Sequence, residues 1–413
     1  MNPFEEKAKL PEEQLENWKT VYPKPYDKSE VDPYTKTRII LMNGTEFEAN
    51  WFSHAFARHT DNNDLRRELA MMRFIEKQQQ LKTSLLKPID ENILETTISY
   101  EQLAVDLTAE LAKREKDPNM KKALDFALLE DFDHLYRYAN LMHLEQGIKA
   151  ETLVGSMTEI TPARPTIAHH RHPADNVKKP LDNKKADKQS VMASMIITAA
   201  EQQTMNYYMN AATFYMTDRG RRLFEEIALV EEEHVTQYES LIDTKGTWLE
   251  MALWHEYVEC FLYYSCYETE TDKQIKKHWQ QNFEFETGHL QKTARLLQKY
   301  EKKDWQQVIP DGKFPEPLIL HSNIDYVRSI LADTVTLTGN NEEYIRINNL
   351  GNNANFPKYT KTINNPVSSV PSHRVVDELI SEKGSDYRFE ITPNSVPALR
   401  ERTVDNTDVG RPV

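Results

Sequence analysis

Three histidines in this sequence each follow an acidic residue by three positions. The pairs are Asp131 with His134, Glu231 with His234, and Glu286 with His289. On a helix, residues three apart share one face, so the carboxylate and the imidazole of each pair would point the same way. Carboxylate oxygens and imidazole nitrogens together suit transition metals such as iron or manganese. Pairs of this kind also arise by chance, so this spacing alone does not predict a metal site.

A second regularity connects the three pairs. A glutamate stands 30 positions before each acidic member: Glu101 before Asp131, Glu201 before Glu231, and Glu256 before Glu286. The last two repeats are offset by 55 positions, and the same offset from the first gives Glu46 and Glu76, with Gln79 in place of a histidine. The chain therefore contains four repeats, which begin near residues 46, 101, 201 and 256.

Each repeat has a polar turn at its midpoint. The turns are Thr60-Asp61, Lys116-Asp117-Pro118, Thr217-Asp218-Arg219-Gly220 and Thr271-Asp272. Aspartate is a favoured N-cap, proline suits the first helical turn, and apolar residues recur at helical spacing on both sides. Equivalent apolar positions recur in every repeat: Leu69, Leu124, Phe224 and Trp279, then Leu86, Leu141, Leu241 and Leu296. The pattern predicts an all-α fold of four helical hairpins.

A helical hairpin places residues that are equidistant from its turn at the same height. The paired acidic residues of each repeat are about 15 residues, or roughly 22 Å, from the turn. Two packed hairpins would thus bring four carboxylates and two imidazoles into one layer. Burying four uncompensated carboxylates would cost more than a net stability of roughly 5–15 kcal/mol, so two metal cations are expected. The third and fourth hairpins give the complete set: Glu201, Glu231, His234, Glu256, Glu286 and His289.

This arrangement resembles the ferritin-like di-iron carboxylate proteins, including rubrerythrins, in which two helices each give a Glu and two others each give a Glu-x-x-His pair. The resemblance covers residues 195–300 well and 44–145 in degraded form. It implies two ferritin-like four-helix bundles and a cofactor of two iron ions, with manganese as an alternative. It also implies that Glu201 and Glu256 are the single-Glu ligands of the six-residue set.

The first two hairpins carry a weakened set: Glu46, Glu76, Gln79, Glu101, Asp131 and His134. Gln79 and Asp131 depart from the family pattern, so whether this half binds metal stays open. A different pairing of hairpins also stays open, because the only long connection joins the second hairpin to the third. That pairing would unite Glu101, Asp131, His134, Glu201, Glu231 and His234.

The expected domain organisation has five parts. These are an N-terminal arm (1–43), a degenerate ferritin-like bundle (44–145), a linker or crossover (146–189), a di-metal bundle (190–302) and an irregular C-terminal tail (303–413). Short helices are expected near 322–333 and 373–383 of the tail, which we expect to wrap the bundle or a partner.

Composition restricts the function further. The net charge of −14 and the mean hydropathy of −0.70 argue against nucleic-acid binding and against a membrane-spanning segment, and the first residues lack a secretion signal, so we expect a cytoplasmic protein. Two cysteines, Cys260 and Cys266, are too few for a disulfide framework or a four-cysteine redox centre. Electrons would therefore have to come from an external donor or from the substrate.

The favoured function is a di-iron protein that reacts with O2 or peroxide, as an oxidase, peroxidase or oxygenase. Two alternatives remain. One is an iron-storage or ferroxidase assembly, with homo-oligomers formed through the terminal arms. The other is a catalytically inactive ferritin-like scaffold.

Several further residues have simpler interpretations. The aromatic pairs Tyr207-Tyr208 and Tyr263-Tyr264 stand about seven residues after a single Glu. A tyrosine there would pack in the core, support redox chemistry or donate a hydrogen bond to a ligand. The segment His169-His170-Arg171-His172 lies among prolines and is expected to be loop. Glu232 and Glu233 are expected to face solvent.

Overall fold

The computed structural model describes residues 1–164, 166–334, 337–384, 386 and 388, and most of them are helical. The long helices are α1 (Pro33–Arg58), α2 (Asn63–Ser84), α3 (Ile93–Arg114), α4 (Pro118–Gln146), α6 (Lys188–Phe214), α7 (Asp218–Glu239), α8 (Trp248–Thr269) and α9 (Lys273–Glu301). The shorter elements are α5 (Glu151–Val154), α10 (Ile324–Thr334), β1 (Leu337–Asn340), β2 (Glu343–Arg346), α11 (Phe356–Ile363) and α12 (Pro371–Lys383). The prediction of a mainly helical protein is confirmed.

The two helices of each hairpin pack together, with a turn at the predicted place: α1 with α2, α3 with α4, α6 with α7 and α8 with α9. The second helix of each pair begins after a capping side chain that accepts backbone N–H groups: Asn62, Asp117, Thr217 and Asp272. The eight repeated apolar positions are all buried, from Leu69 in α2 to Leu296 in α9. The caps set where each helix starts, and the buried apolar residues set which face it turns inward.

The chain divides into two compact units. Unit 1 comprises Met1–Glu91 and Asp243–Ile319, and unit 2 comprises Asn92–Ile242 with the described residues from Leu320 onward. Unit 1 packs α1 and α2 with α8 and α9, whereas unit 2 packs α3 and α4 with α6 and α7. This division differs from the expected bundles at 44–145 and 190–302, because the first hairpin joins the fourth and the second joins the third.

Connection lengths help to explain this difference. Residues 147–187 join the two hairpins of unit 2, and a connection of this length leaves them free to pack in more than one orientation. The connections at 85–92 and 240–247 are short, and each leads from one unit into the other. The first hairpin therefore packs with the fourth, which is distant in the sequence, whereas the second packs with the third across the long connection.

The N-terminal segment packs on unit 1. Helix α1 begins at Pro33, inside the expected arm, because Asp32 accepts the Tyr34 N–H and proline fits the first turn. Earlier residues form two 3-10 turns, Pro3–Glu5 and Pro11–Glu13, which pack on α9 and α2 of unit 1.

The described tail packs on unit 2. Helices α10 and α12 lie close to the expected segments 322–333 and 373–383, and they contact α4, with α12 also contacting α7. Strands β1 and β2 pair antiparallel, with Leu337 opposite Arg346. The rest of the predicted tail, beyond residue 388, lies outside the described residues. In the part of the chain that is described, none of the helices has both the length and the apolar character needed to cross a bilayer.

Candidate metal centres

Unit 2 brings together acidic residues and histidines from all four of its long helices. Helix α3 supplies Glu101, α4 supplies Asp131 and His134, α6 supplies Glu201, and α7 supplies Glu231 and His234; all six are buried. They form two groups whose ligand atoms lie within 4.8 Å of one another, Asp131 with Glu201, Glu231 and His234, and Glu101 with His134 and Glu231. Glu231 belongs to both groups.

The carboxylate of Glu231 lies between the two imidazoles. Its Oε1 is 3.0 Å from His134 Nδ1, and its Oε2 is 3.1 Å from His234 Nδ1. The same His234 nitrogen is 3.3 Å from Asp131 Oδ1 and 3.6 Å from Glu201 Oε2. Each metal position would therefore have one imidazole nitrogen and at least two carboxylates within reach.

The other carboxylates lack sufficient neutralising partners. Burial raises the pKa of Glu101 and of Glu201 well above the usual range, and it raises the pKa of Asp131 to about 7. Glu101 Oε2 and Glu201 Oε1 have no hydrogen-bond partner within the described part of the chain. The residues present fit metal cations, which would neutralise the carboxylates and use these free oxygens.

A tyrosine holds one candidate ligand in each unit. In unit 2 the Tyr208 hydroxyl donates to Glu101 Oε1 (2.5 Å), and in unit 1 the Tyr263 hydroxyl donates to Glu46 Oε1 (2.5 Å). Each bond runs from the helix of one hairpin to the single Glu of the other hairpin in the same unit. The first two hairpins carry Ser53 and Thr108 at the tyrosine's position. Pairing them with each other would leave both of their glutamates without this donor.

The other imidazole nitrogen of His234 contacts a carboxylate outside the ligand set. Glu130 Oε2 is 2.8 Å from His234 Nε2. Glu130 also accepts from Arg164 and from Arg171, whose Nη1 is 2.5 Å from Oε1. Burial opposes ionisation, yet these two guanidinium groups lower the pKa of Glu130 well below its usual range. Glu130 therefore fixes the orientation of His234 with Nδ1 facing the other ligands.

The residues around Glu130 were not found from the sequence. Arg164 and Arg171 lie in the connection between α4 and α6, where no helical period marks them. Glu233 is buried and accepts the Arg171 N–H at 3.1 Å, so its expected exposure to solvent is wrong, whereas Glu232 is exposed. The segment around His169 is loop, and His169 contacts Asp133 at 2.8 Å.

Unit 1 has a corresponding buried layer with a different composition. Helix α1 supplies Glu46, α2 supplies Glu76 and Gln79, α8 supplies Glu256 and Glu259, and α9 supplies Glu286 and His289; all seven are buried. Two groups again have ligand atoms within 4.8 Å of one another, Glu76 with Glu256 and His289, and Glu256 with Glu259 and Glu286. Here Glu256 belongs to both groups.

Gln79 replaces the histidine of the other repeats. Its Nε2 donates to Glu46 Oε1 (3.0 Å) and to Glu286 Oε1 (2.5 Å). The single imidazole of this layer, His289, has its Nδ1 3.3 Å from Glu286 Oε2 and 3.9 Å from Glu256 Oε2. Unit 1 thus has one nitrogen ligand where unit 2 has two.

Glu259 was missed by the sequence analysis. It follows Glu256 by three residues, and that spacing places both on one helix face. The repeat gave no signal, because the equivalent positions are Ala49, Ala104 and Thr204. A search for acidic residues next to a predicted ligand on the same face would have found it.

The six predicted ligands are divided between the units. Glu201, Glu231 and His234 lie in unit 2, whereas Glu256, Glu286 and His289 lie in unit 1. Each group is completed by residues of the first two hairpins. The grouping in unit 2 is the alternative that followed from the long connection: Glu101, Asp131, His134, Glu201, Glu231 and His234.

No protein-family model, no curated protein and no solved structure matches this chain. The resemblance to ferritin-like proteins therefore rests on the ligand pattern and on the helices that carry it.

Proposed function

We propose that this chain is a ferritin-like di-iron protein whose unit 2 centre reacts with O2 or peroxide. The supporting observation is the donor set of unit 2, in which two helices each give one Glu and the other two each give an acidic residue and a histidine three apart. The four carboxylates carry the charge of two divalent cations, and the mixed oxygen and nitrogen donors suit iron or manganese.

Iron at both positions would supply the electrons that reduce an oxygen–oxygen bond. The protein's part is to hold and orient the ligands. Glu231 presents one oxygen toward each histidine, so it is the carboxylate best placed to serve both metal positions. Glu130 fixes the ring of His234, and Tyr208 holds one oxygen of Glu101 while leaving the other free.

The surroundings of Glu101 restrict the entry of water. The Tyr208 ring lies against Tyr138 and Phe224, with centroids 5.1 Å and 5.7 Å away, and all three side chains are buried. Excluding water in this way strengthens electrostatic interactions at the site and limits side reactions. The substrate or an external donor would supply further electrons, since the chain has only two cysteines.

Iron content and O2 uptake test this proposal together. Full-length protein is loaded anaerobically with Fe²⁺, its iron is measured by mass spectrometry, and O2 consumption is followed after mixing with buffer that contains O2. Glu231→Gln is expected to lose about two irons per chain and the associated O2 uptake, because the residue serves both positions. Glu232→Gln, an exposed neighbour on the same helix, is the matched control and is expected to behave as the parent.

Two results would count against the proposal. Iron binding and O2 uptake that persist unchanged in Glu231→Gln would remove unit 2 as the reacting centre. A parent protein that binds no iron would favour the scaffold alternative.

A further inference from the structure

We propose that unit 1 carries a second metal centre with two unlike positions, one of which binds a hard divalent cation through carboxylate oxygens alone. This inference concerns residues of unit 1 only, so it does not depend on the function proposed for unit 2. It rests on the ligand groups of unit 1 and on the buried oxygens of Glu259.

The two positions share Glu256 and differ in their other donors. The first combines Glu256 with Glu76 and His289, and thus has one nitrogen donor. The second combines Glu256 with Glu259 and Glu286, and has oxygen donors only. In unit 2, by contrast, each of the two groups contains a histidine.

Glu259 has no structural role that would explain its burial. Its side chain is only 1 % exposed, and neither carboxylate oxygen has a hydrogen-bond partner among the described residues. A buried structural carboxylate in the same unit looks different. Glu270 accepts from Arg38 (3.1 Å), Thr35 (2.6 Å) and Trp279 (3.0 Å). Burying an ionised carboxylate without partners is strongly unfavourable, so Glu259 must either take up a proton or bind a cation that the protein itself does not supply.

The same conclusion follows from the other free atoms of this layer. Glu46 Oε2, Glu76 Oε2, Glu256 Oε2 and His289 Nε2 also have no hydrogen-bond partner within the described chain. Gln79 satisfies only one oxygen of Glu46 and one of Glu286. Within the ligand groups of unit 1 and Glu46, five carboxylates therefore have only one imidazole, that of His289, and two bound cations would supply further positive charge.

The donor types indicate which cation the second position prefers. Replacing a histidine by Gln79 and adding Glu259 exchanges a nitrogen donor for an oxygen donor. Sites made only of carboxylate oxygens favour Mg²⁺, Ca²⁺ and Mn²⁺ over metals that prefer imidazole or thiolate. We use Mn²⁺ as the probe, because its electron paramagnetic resonance signal reports binding directly.

A small cavity adjoins the first position. It has a volume of about 20 Å³, and its lining includes Phe52, Phe56 and Leu69 together with Glu76 and Glu256. A cavity of this size holds about one water molecule. A metal at this position would therefore have room for one small non-protein ligand, on a side where apolar residues predominate but Ser53, His255 and Thr293 also lie.

The test is a Mn²⁺ titration of metal-free, full-length protein, followed by the resonance signal of free Mn²⁺. Glu259→Gln keeps the shape of the side chain and removes its charge, so it is expected to bind about one tight Mn²⁺ fewer per chain than the parent. Glu268→Gln, an exposed residue on the same helix, is the matched control and is expected to bind as the parent does. Glu231→Gln in unit 2 is expected to keep the Mn²⁺ that Glu259→Gln loses.

Thermal unfolding of the metal-free variants shows whether a loss of Mn²⁺ binding comes from a folding defect. Without metal, Glu259→Gln replaces a buried ionisable carboxyl group that has no hydrogen-bond partner among the described residues, so the variant is expected to unfold at the same or a higher temperature than the parent. Mn²⁺ binding in Glu259→Gln with the parent's stoichiometry and affinity would overturn the proposal. A lower unfolding temperature of metal-free Glu259→Gln would also overturn it, because Glu259 would then have a structural role.

Discussion

Glu231 differs in its protonation from the carboxylates around it. Burial disfavours its charge, but His134 and His234 lie at its two oxygens and lower its pKa to about 2. The pKa of Glu101 and that of Glu201 are raised instead, because burial is not offset by a cation of the protein. Among the candidate ligands Glu101, Glu201 and Glu231, Glu231 is thus the carboxylate that stays ionised without metal, with one imidazole on each side.

Tyr208→Phe tests the hydrogen bond by which the Tyr208 hydroxyl holds the carboxylate of Glu101. The change removes the hydroxyl that donates to Glu101 Oε1, so Glu101 is left less well oriented. Loss of an outer partner of this kind typically lowers metal affinity by about 10–100-fold. A competitive Fe²⁺ or Co²⁺ titration of the full-length protein measures the change.

Tyr207→Phe provides the control for this experiment. Tyr207 is only partly buried, and its hydroxyl donates to the Ile93 carbonyl oxygen (3.2 Å) rather than to a candidate ligand. An equal loss of affinity in both variants would show that the Tyr208 hydroxyl does not act through Glu101.

Single residues divide into those that the sequence could show and those that it could not. Glu101, Glu201 and Glu231 were found because the repeat fixes their height relative to the turns. Glu130 was missed because it stands beside Asp131 and gains its role only from arginines of a distant loop. Glu259 was missed because the other repeats have no acidic residue there.

At the scale of elements, the hairpins were predictable and their pairing was not. Caps and apolar periodicity are local, so the turns near 60, 117, 217 and 272 could be placed from the sequence alone. Packing between hairpins depends on contacts that local patterns do not specify. The long connection between α4 and α6 left two pairings of the hairpins open. The hydrogen bonds made by Tyr208 and Tyr263 distinguish these pairings, but they can be seen only in the folded structure.

Glu130→Gln tests how the connection between α4 and α6 supports the unit 2 layer. The variant leaves Arg164 and Arg171 buried without their carboxylate, and breaking a buried ion pair costs about 3–5 kcal/mol. It also removes the acceptor of His234 Nε2. We expect a lower free energy of unfolding by urea, together with weaker metal binding.

Asp125→Asn on the same helix is a partial comparison, because that carboxylate is more accessible and accepts from Tyr326 outside the ligand layer. It is expected to leave metal affinity unchanged. If Glu130→Gln bound metal as tightly as the parent did, the orienting role of Glu130 would be excluded.

At the scale of the whole molecule, each unit has one buried acidic layer, and the two layers are chemically different. Unit 2 combines four carboxylates with two histidines, whereas unit 1 combines five with one. The sequence predicted a duplication with one degraded half. In the structure, each unit instead combines one hairpin that departs from the Glu and Glu-x-x-His pattern, at Gln79 or Asp131, with one hairpin that carries the pattern completely. The two units therefore have different donor sets.

This excess of buried carboxylates predicts an unusual pH dependence for the metal-free protein. Burial raises the pKa of Glu76 and of Asp131 to about 7, and the pKa values of Glu101, Glu201 and Glu259 are also raised. In the unfolded chain these groups ionise near pH 4, so above that pH the folded state binds more protons. Stability is therefore expected to fall as pH rises from about 4.5 to 7, by about 1.4 kcal/mol per pH unit for each excess proton.

Urea unfolding at several pH values, with and without metal, measures this effect. Bound metal replaces the protons, so the stabilisation by metal is expected to grow as pH rises. A metal-free protein whose stability increases through this pH range would show that the buried carboxylates are already neutralised by the protein.

Anomalous diffraction at the iron absorption edge, from crystals of the iron-loaded protein, tests the central claim most directly. The account predicts two iron peaks in unit 2, both next to Glu231, with one near His134 and the other near His234. Iron-loaded crystals with no peak beside Glu231 would contradict the di-iron centre of unit 2.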